Sequence, residues 1–121
     1  MTTNNPTLQL LMETRDLISK KEHWTQNAFA KNELGVIVHH TSETAHSFCI
    51  VGALNRVTDK RFGIQANTAT EAAWKLVADA MPGLQSGLKS GLTVFNDKHT
   101  HEEVIAVLNK AIDLAKEAAP T

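Results

Sequence analysis

"THEEVIAVLNKAIDLAKEAA", residues 100–119, is the stretch that decides the fold of this chain. Its apolar residues recur at the spacing of three and four that lines one face of an α-helix. On the predicted core face lie Val104, Leu108, Ala111, Ile112 and Ala115. A long helix with one apolar face must bury that face against other elements, so the stretch predicts a core built mainly from helices.

Two stretches nearer the N-terminus show the same helical spacing. "NNPTLQLLMETRDLISKK" predicts a first helix over residues 6–21, with Asn5 as its N-cap. "FCIVGALNRV" predicts a second helix over residues 47–58, for which Ser42 or Ser47 offers a cap. We expect the first and last helices of the chain to be antiparallel or crossing neighbours.

A third helix is predicted from "TATEAAWKLVADAMPG", residues 68–83, where Pro82 and Gly83 mark its end. Small residues dominate its apolar face, which lets a neighbouring helix approach closely. The Gly-Leu repeat "GLQSGLKSGL" follows at residues 83–92. Because each glycine costs a helix about 1 kcal/mol relative to alanine, the repeat favours a short irregular helix or successive turns.

The stretch between helices one and two, "HWTQNAFAKNELGVIVHH", indicates β-structure. Its β-compatible residues flank "KNELG", whose Asn32 and Gly35 suit a turn. The pattern permits a small two-stranded β-hairpin at this place.

These patterns predict a mainly α fold, a compact bundle of three long helices and one or two short ones. A chain of 121 residues with 42% apolar residues has the size and the composition of one domain with one modest core. We therefore expect a single helical domain over residues 1–121, frayed at residues 1–5 and 117–121.

Charge and cysteine usage restrict the function classes. The 12 Lys and Arg residues are balanced by 13 Asp and Glu residues, which gives a net charge of -1. The chain therefore lacks the excess of positive charge that is typical of nucleic-acid binders. No segment approaches the roughly 18 apolar residues of a membrane span. A lone cysteine, Cys49, cannot form an internal disulfide and suits a reducing compartment. We expect a soluble, cytoplasmic protein with no nucleic-acid partner.

"FNDKHTHEEV", residues 95–104, concentrates polar groups directly before the last helix. Thr100 and Glu103 have the spacing of a capping box. Asn96 and Asp97 suit Asx-turns that bind the chain to its own backbone. We interpret the stretch as the entrance to a helix, and expect Asn96 and Asp97 to satisfy backbone donors at helix two or to hold Cys49 in place.

A chemical alternative begins at Cys49. A cysteine near a helix N-terminus meets amide donors that stabilise its thiolate. His46 or His99 would then act as a base, with Asn96 or Asp97 orienting it. A lone cytosolic cysteine is more often a small apolar residue of the core, and Cys49 also fits the core face of helix two.

Three further residues of the early segments have structural explanations. Trp24 and Gln26 follow the first helix, where they are expected to plug and cap the core. Gly52 in the second helix permits close crossing by another backbone. The histidines match neither a His-Glu-x-x-His helix nor a cysteine-histidine finger, so no metal site and no cofactor are predicted. Five of the six histidines are considered as candidates: His39, His40, His46, His99 and His101.

"HWTQNAFAKNELG", "FCIVGAL" and "FNDKHTHEEVIAVLNKAI" together resemble a family of small uncharacterised proteins found widely in bacteria and their phages. Its members show an early Trp segment, a Phe/Trp-Cys-x-x-Gly-Ala-Leu helix start, and a Phe/Trp-Asn-Asp segment before a terminal Glu-Val helix. The resemblance implies no activity. It places Trp24, Cys49, Gly52, Asn96 and Asp97 on matching positions, and so implies that they form one spatial cluster.

One departure from the family pattern limits the comparison. Relatives often show Gly-Arg-Thr where this chain has Lys98-His99-Thr100, so no role of that arginine carries over. Two functional hypotheses follow. The first is a non-enzymatic accessory or protein-interaction module that binds a protein partner or forms a homodimer. The alternative is a small hydrolase or transferase that uses Cys49 as nucleophile.

Overall fold

The computed structural model describes residues 5–62, 68–81 and 88–118. This part of the chain forms five α-helices and one small antiparallel sheet between the first two helices, which confirms the mainly helical class. In chain order the elements are α1 (Pro6–Leu17), a 3-10 turn (Lys21–His23), β1 (Ala30–Lys31), β2 (Ser47–Phe48), α2 (Ile50–Phe62), α3 (Thr68–Ala80), α4 (Leu88–Lys98) and α5 (His101–Ala118).

The core lies between α1, α2, α3 and α5. α1 packs against the other three, so the predicted contact between the first and last helices is confirmed. All five residues predicted for the core face of α5 are buried, and Leu10 and Leu11 of α1 are buried with them. Burying one such leucine stabilises the fold by about 1.5–3 kcal/mol, so this shared face holds the bundle together.

The first helix begins as predicted and ends early. The Leu8 N–H donates to the Asn5 side-chain oxygen at 3.1 Å, which confirms the N-cap. α1 ends at Leu17, four residues before the predicted end. The Ser19 hydroxyl donates to the Asp16 carbonyl at 3.0 Å, and His101 Nε2 donates to the Ile18 carbonyl at 2.7 Å. These side chains satisfy carbonyls that the helix would otherwise use in its next turn, so the chain can turn away there.

The second helix starts later than predicted. Ser47 belongs to β2, where it pairs with Lys31, and the helix runs from Ile50 to Phe62. Neither Ser42 nor Ser47 caps it. The first helical N–H, of Ile50, donates to the Asn96 side-chain oxygen at 3.0 Å. A cap supplied from 46 residues away leaves no local sequence signal.

The predicted turn at Asn32–Gly35 is present. Gly35 has φ +82°, a conformation that glycine adopts without strain, and its N–H donates to the Asn32 carbonyl at 3.0 Å. The strand before the turn, β1, nevertheless finds its partner in β2 rather than in a strand directly after the turn. The returning chain makes only one isolated antiparallel bridge, between Lys31 and Ile37.

The Gly-Leu repeat falls partly outside the described residues, as does the end predicted for the third helix at Pro82 and Gly83. From Leu88 onward the chain is helical to Lys98. Asn96 and Asp97 therefore lie in the last turn of α4, and the predicted Asx-turns before the final helix are wrong. α4 packs against α2 and α3 with Leu92 fully buried, so tertiary packing offsets the helix cost of Gly91.

Candidate functional site

Asn96 is the centre of a buried hydrogen-bond network, and its side chain is fully shielded from water. Its Oδ1 accepts hydrogen bonds from the Trp24 indole N–H at 2.8 Å and the Ile50 N–H at 3.0 Å. Its Nδ2 donates to the Thr25 carbonyl at 2.9 Å and to Asp97 Oδ1 at 3.2 Å. All four bonds that one amide can make are thus formed, and they join three distant segments. The predicted capping of helix two by Asn96 is confirmed.

Gln26 and Asp97 extend this network around the end of α4. The Gln26 side-chain nitrogen lies 3.0–3.2 Å from the carbonyl oxygens of Asn96, Asp97 and His99. These carbonyls have no partner within the helix, so Gln26 caps it. Asp97 Oδ1 also accepts the Asn27 N–H at 2.8 Å, and Asn27 adopts a left-handed φ of 67° that asparagine tolerates well.

Gly52 lies where the extended chain crosses the start of α2. A Cβ at this position would fall 1.9 Å from the Phe29 carbonyl oxygen. The same oxygen accepts the Cys49 N–H at 3.1 Å. Only a glycine leaves room for this approach, which confirms the close backbone crossing predicted at Gly52.

The Cys49 sulfur is packed inside the protein, with only 2% of the residue exposed. Burial raises the pKa of the thiol above its ordinary value; the N–H groups of Gly52 and Val51 lower it in part, and the nearby Asp97 carboxylate raises it further. The Gly52 N–H lies 3.3 Å from the sulfur. The group is therefore a neutral thiol at neutral pH, which is the form with little nucleophilic reactivity.

The two histidines proposed as bases have other contacts. The His46 ring meets the His23 ring edge-on at 4.7 Å, and the His46 carbonyl accepts from His23 Nδ1 at 2.7 Å. The His99 ring stacks on Phe95 at 3.9 Å. Within the described residues, no hydrogen bond joins either imidazole to the Cys49 sulfur. The structure thus brings Trp24 and Asn96 together at the start of α2 and Gln26 and Asp97 at the end of α4, whereas the His46 and His99 rings make other contacts.

Two further histidines, His40 and His101, also contact the protein itself. The His101 ring, which binds the Ile18 carbonyl, lies 5.5 Å from the Trp24 ring. His40 Nε2 lies 2.8 Å from an Asp59 carboxylate oxygen. No group of three or more His, Cys, Asp or Glu side chains in the described ranges is placed to hold a metal ion.

The capping box before α5 is confirmed in both directions. The Glu103 N–H donates to the Thr100 hydroxyl at 3.2 Å, and the Thr100 N–H donates to the Glu103 carboxylate at 2.9 Å. The Thr100 N–H lowers the pKa of the Glu103 carboxyl because it stabilises the charged form. These groups serve the backbone and require no catalytic explanation.

Sequence reasoning missed an exposed apolar surface on the segment from 29 to 37, which we name the apolar arm. Its exposed side chains are Phe29, Leu34, Val36 and Ile37. The strand pattern around the turn was visible in the sequence, but a short pattern does not tell which residues of an edge remain uncovered. The sequence feature that pointed to this exposed surface was Leu34, a large apolar residue inside a predicted turn.

Two clefts were missed as well. One, of about 470 Å³, lies between α1 and α2, and the other, of about 490 Å³, lies between the turn of the apolar arm and the segment 43–46. Their charged residues are far apart in the sequence, so no local pattern pointed to them.

The fold and the network around Asn96 define a small, mainly helical domain with a buried polar centre. The chain belongs to a family of unknown function, DUF6197, whose model matches residues 2–114. No curated protein and no solved structure matches the chain. None of the helices within the described residues combines the length and the apolar character needed to cross a membrane.

Proposed function

We propose that the protein is a non-enzymatic accessory module that binds a partner protein through the apolar arm. The observation that carries this proposal is the exposure of four large apolar side chains in one short segment. The burial of Cys49 and the raised pKa of its thiol support this function over thiol catalysis. An origin in bacteria or phages rests on the motif resemblance, and a cytoplasmic location rests on the lone cysteine.

Each of the four apolar side chains that define the arm is at least half exposed. Leu34 is 88% exposed, Ile37 66%, Val36 55% and Phe29 50%. Single exposed apolar residues are common on proteins, but a group of large ones marks an interaction surface. Leu34 and Ile37 are therefore the expected anchors.

The arm is fixed to the helical body at its base. The Phe29 carbonyl binds the start of α2 through Cys49, and Asp97 holds the Asn27 N–H. At its tip, the Asn32 side chain accepts the N–H groups of Leu34 and Val36. A surface that is already ordered loses less conformational entropy on binding, so these bonds favour affinity.

The outer edge of the arm suits an extended segment of a partner. The Asn32 N–H donates to the Val36 carbonyl and the Val38 N–H to the Ala30 carbonyl, with Ile37 bridged between them. In an antiparallel pair this pattern turns the Ile37 N–H and C=O away from β1. An added strand pairs with such free groups, so the partner is expected to bind in extended conformation.

Charge indicates the chemistry of that segment. Glu33 and Glu43 line opposite walls of the 490 Å³ cleft, which Leu34 also lines. Neither carboxylate forms an ion pair with a described residue. A partner with basic and apolar side chains complements this surface, whereas a second copy of the arm would bring like charges together.

Two synthetic peptides test the proposal: Val-Lys-Val-Lys-Val-Lys-Val and its counterpart with Glu in place of Lys. NMR titration of the ¹⁵N-labelled protein should show saturable shifts of the Leu34 and Ile37 amides with the basic peptide and much weaker binding of the acidic one. The double variant Leu34→Ser/Ile37→Ser should lose these shifts. Val94→Ser is the matched control, because Val94 is 53% exposed and belongs to α4 rather than to the arm.

Equal binding of both peptides, or unchanged binding by the double variant, would contradict the proposed surface. Size-exclusion chromatography with light scattering tests whether a second copy of the chain binds the arm. A dimer that the double variant disrupts and Val94→Ser leaves intact would assign the arm to self-association instead of a partner protein.

A further inference from the structure

The 470 Å³ cleft between α1 and α2 lies outside both the polar centre and the apolar arm. α1 contributes Glu13 and Asp16 to one wall, and α2 contributes Arg56, Val57 and Lys60 to the other. Its volume falls in the range of small-molecule sites. One wall thus carries two carboxylates and the other two cations. Whether the cleft attracts an anion or a cation depends on which of these charges are already paired within the protein.

The two carboxylates of the α1 wall already have cationic partners outside the cleft. Arg61 donates a hydrogen bond to Glu13, and Arg15 binds Asp16 at 3.1 Å. Neither Arg61 nor Arg15 lines the cleft. These pairs offset the negative charge of the α1 wall.

Arg56 forms an ion pair with no carboxylate among the described residues and is held in one orientation. Its Nη1 donates to the carbonyl oxygens of His40 and Ser42 at 2.9 and 2.8 Å, and its guanidinium lies 5.7 Å from the centre of the Phe48 ring. Carbonyl oxygens accept hydrogen bonds without neutralising a cation. The Nε and Nη2 hydrogens meet no acceptor among the described residues, so a fixed guanidinium edge remains for an oxyanion.

Lys60 adds a second cation on the same side of α2. It stands four residues after Arg56, and residues at this spacing are neighbours on a helix surface. Lys60 is exposed and forms no ion pair with any residue in the described ranges. The α2 wall therefore presents two cations that no carboxylate of the cleft engages.

Apolar surface accompanies these cations. Phe48 and Val57 are buried at the cleft, and Leu17 and Ala45 line it half-buried. We propose that the cleft binds a small organic anion, in which a carboxylate or phosphate group contacts Arg56 and Lys60 and a compact apolar body packs on Leu17 and Ala45. The cleft adjoins the 490 Å³ cleft beside the arm, because Ala45 and His46 line both, but Arg56 and Lys60 line only the 470 Å³ cleft.

NMR titration of the ¹⁵N-labelled protein with benzoate and phenyl phosphate tests the proposal and separates the two oxyanions. Saturable shifts are expected at the amides of Leu17, Val57 and Lys60, none of which lines the 490 Å³ cleft beside the arm. Benzyl alcohol, which has the ring without the charge, should produce no saturable shifts there. Inorganic phosphate should bind more weakly than phenyl phosphate because it lacks the apolar body.

Lys60→Gln carries the mutational test, because Arg56→Gln also removes contacts that hold the 40–42 loop. We expect Lys60→Gln to weaken the binding of the preferred anion about 1.5- to fivefold, the range for one exposed charge pair. Lys110→Gln is the matched control, because Lys110 is equally exposed but lies on α5. Leu34→Ser/Ile37→Ser should bind the anion as the wild type does.

Two results would overturn the site: the absence of saturable shifts at the cleft with either anion, or equal affinity in Lys60→Gln and the wild type. Equal binding of inorganic phosphate and phenyl phosphate would overturn the role given to Leu17 and Ala45. Because the arm variant retains the cleft, failure here and failure of the arm proposal are distinguishable.

Discussion

Replacing Asn96 with alanine removes the side chain that joins the Trp24 segment, the start of α2 and the end of α4. The Trp24 indole N–H and the buried Ile50 N–H each lose their acceptor. The Thr25 carbonyl loses a donor as well, and Trp24 and Thr25 are both half-buried residues. The buried Ile50 N–H therefore contributes the largest part of the cost.

A buried donor left without a partner costs about 1–3 kcal/mol; with about 2 kcal/mol for the buried Ile50 N–H and about 1 kcal/mol for the half-buried Trp24 indole N–H, Asn96→Ala should lower the free energy of unfolding by about 3 kcal/mol. Domains of this size have a total stability of about 5–15 kcal/mol, so the variant should fold but be weakened. With an m-value of about 2 kcal/mol/M, the urea midpoint should fall by about 1.5 M.

Urea unfolding followed by circular dichroism at 222 nm measures this change without relying on Trp24 fluorescence. Asn109→Ala is the matched control, because Asn109 is an exposed asparagine whose Oδ1 accepts one hydrogen bond from Arg15. It should cost less than about 1 kcal/mol. The reasoning is refuted if Asn96→Ala lowers the stability no more than Asn109→Ala does.

Three further outcomes are expected. Gly52→Ala should destabilise the fold by more than about 2 kcal/mol in the same urea assay, because its Cβ would strike the Phe29 carbonyl; an unchanged midpoint would disprove the close crossing. The Cys49 thiol should react with a thiol reagent at pH 8 only after unfolding, and rapid reaction of the native protein well below pH 8 would instead support catalysis. The lowered pKa of Glu103 contributes stability above the ordinary carboxyl pKa, and this contribution is lost as the pH falls through the lower folded pKa. Glu103→Gln should therefore show a smaller loss of stability between neutral and acidic pH, and an identical pH profile would contradict the assignment.

Local patterns in the sequence predicted those parts of the fold whose stabilising contacts are local. The core face of α5, the Thr100–Glu103 capping box and the Asn5 N-cap each depend on residues a few positions apart. Matching motif positions added one distant contact, between the "FND" segment and the start of helix two, and Asn96 makes that contact.

Elements that depend on tertiary contacts were predicted less well. The start of α2 is set by the Asn96 side chain and by the strand pairing of Ser47. The cap candidates nearby in the sequence, Ser42 and Ser47, therefore predicted the start of the helix at the wrong residue. Glycine propensity argued against a regular helix at the end of the Gly-Leu repeat, whereas burial of Leu92 favours one. The apolar arm was not predicted because the exposure of its side chains depends on which strand pairs with β1. In the structure, β1 pairs with β2.

Hydrogen exchange of the Trp24 indole N–H and the Ile50 amide, followed by NMR, tests most directly whether the polar centre locks the distant segments together. Both protons point at Asn96 Oδ1. If Asn96 holds these segments together, both protons should exchange only through global unfolding, as slowly as the amide of the buried core residue Leu108. Rapid exchange of both protons while the Leu108 amide stays protected would show that the centre opens by itself, and would contradict the account.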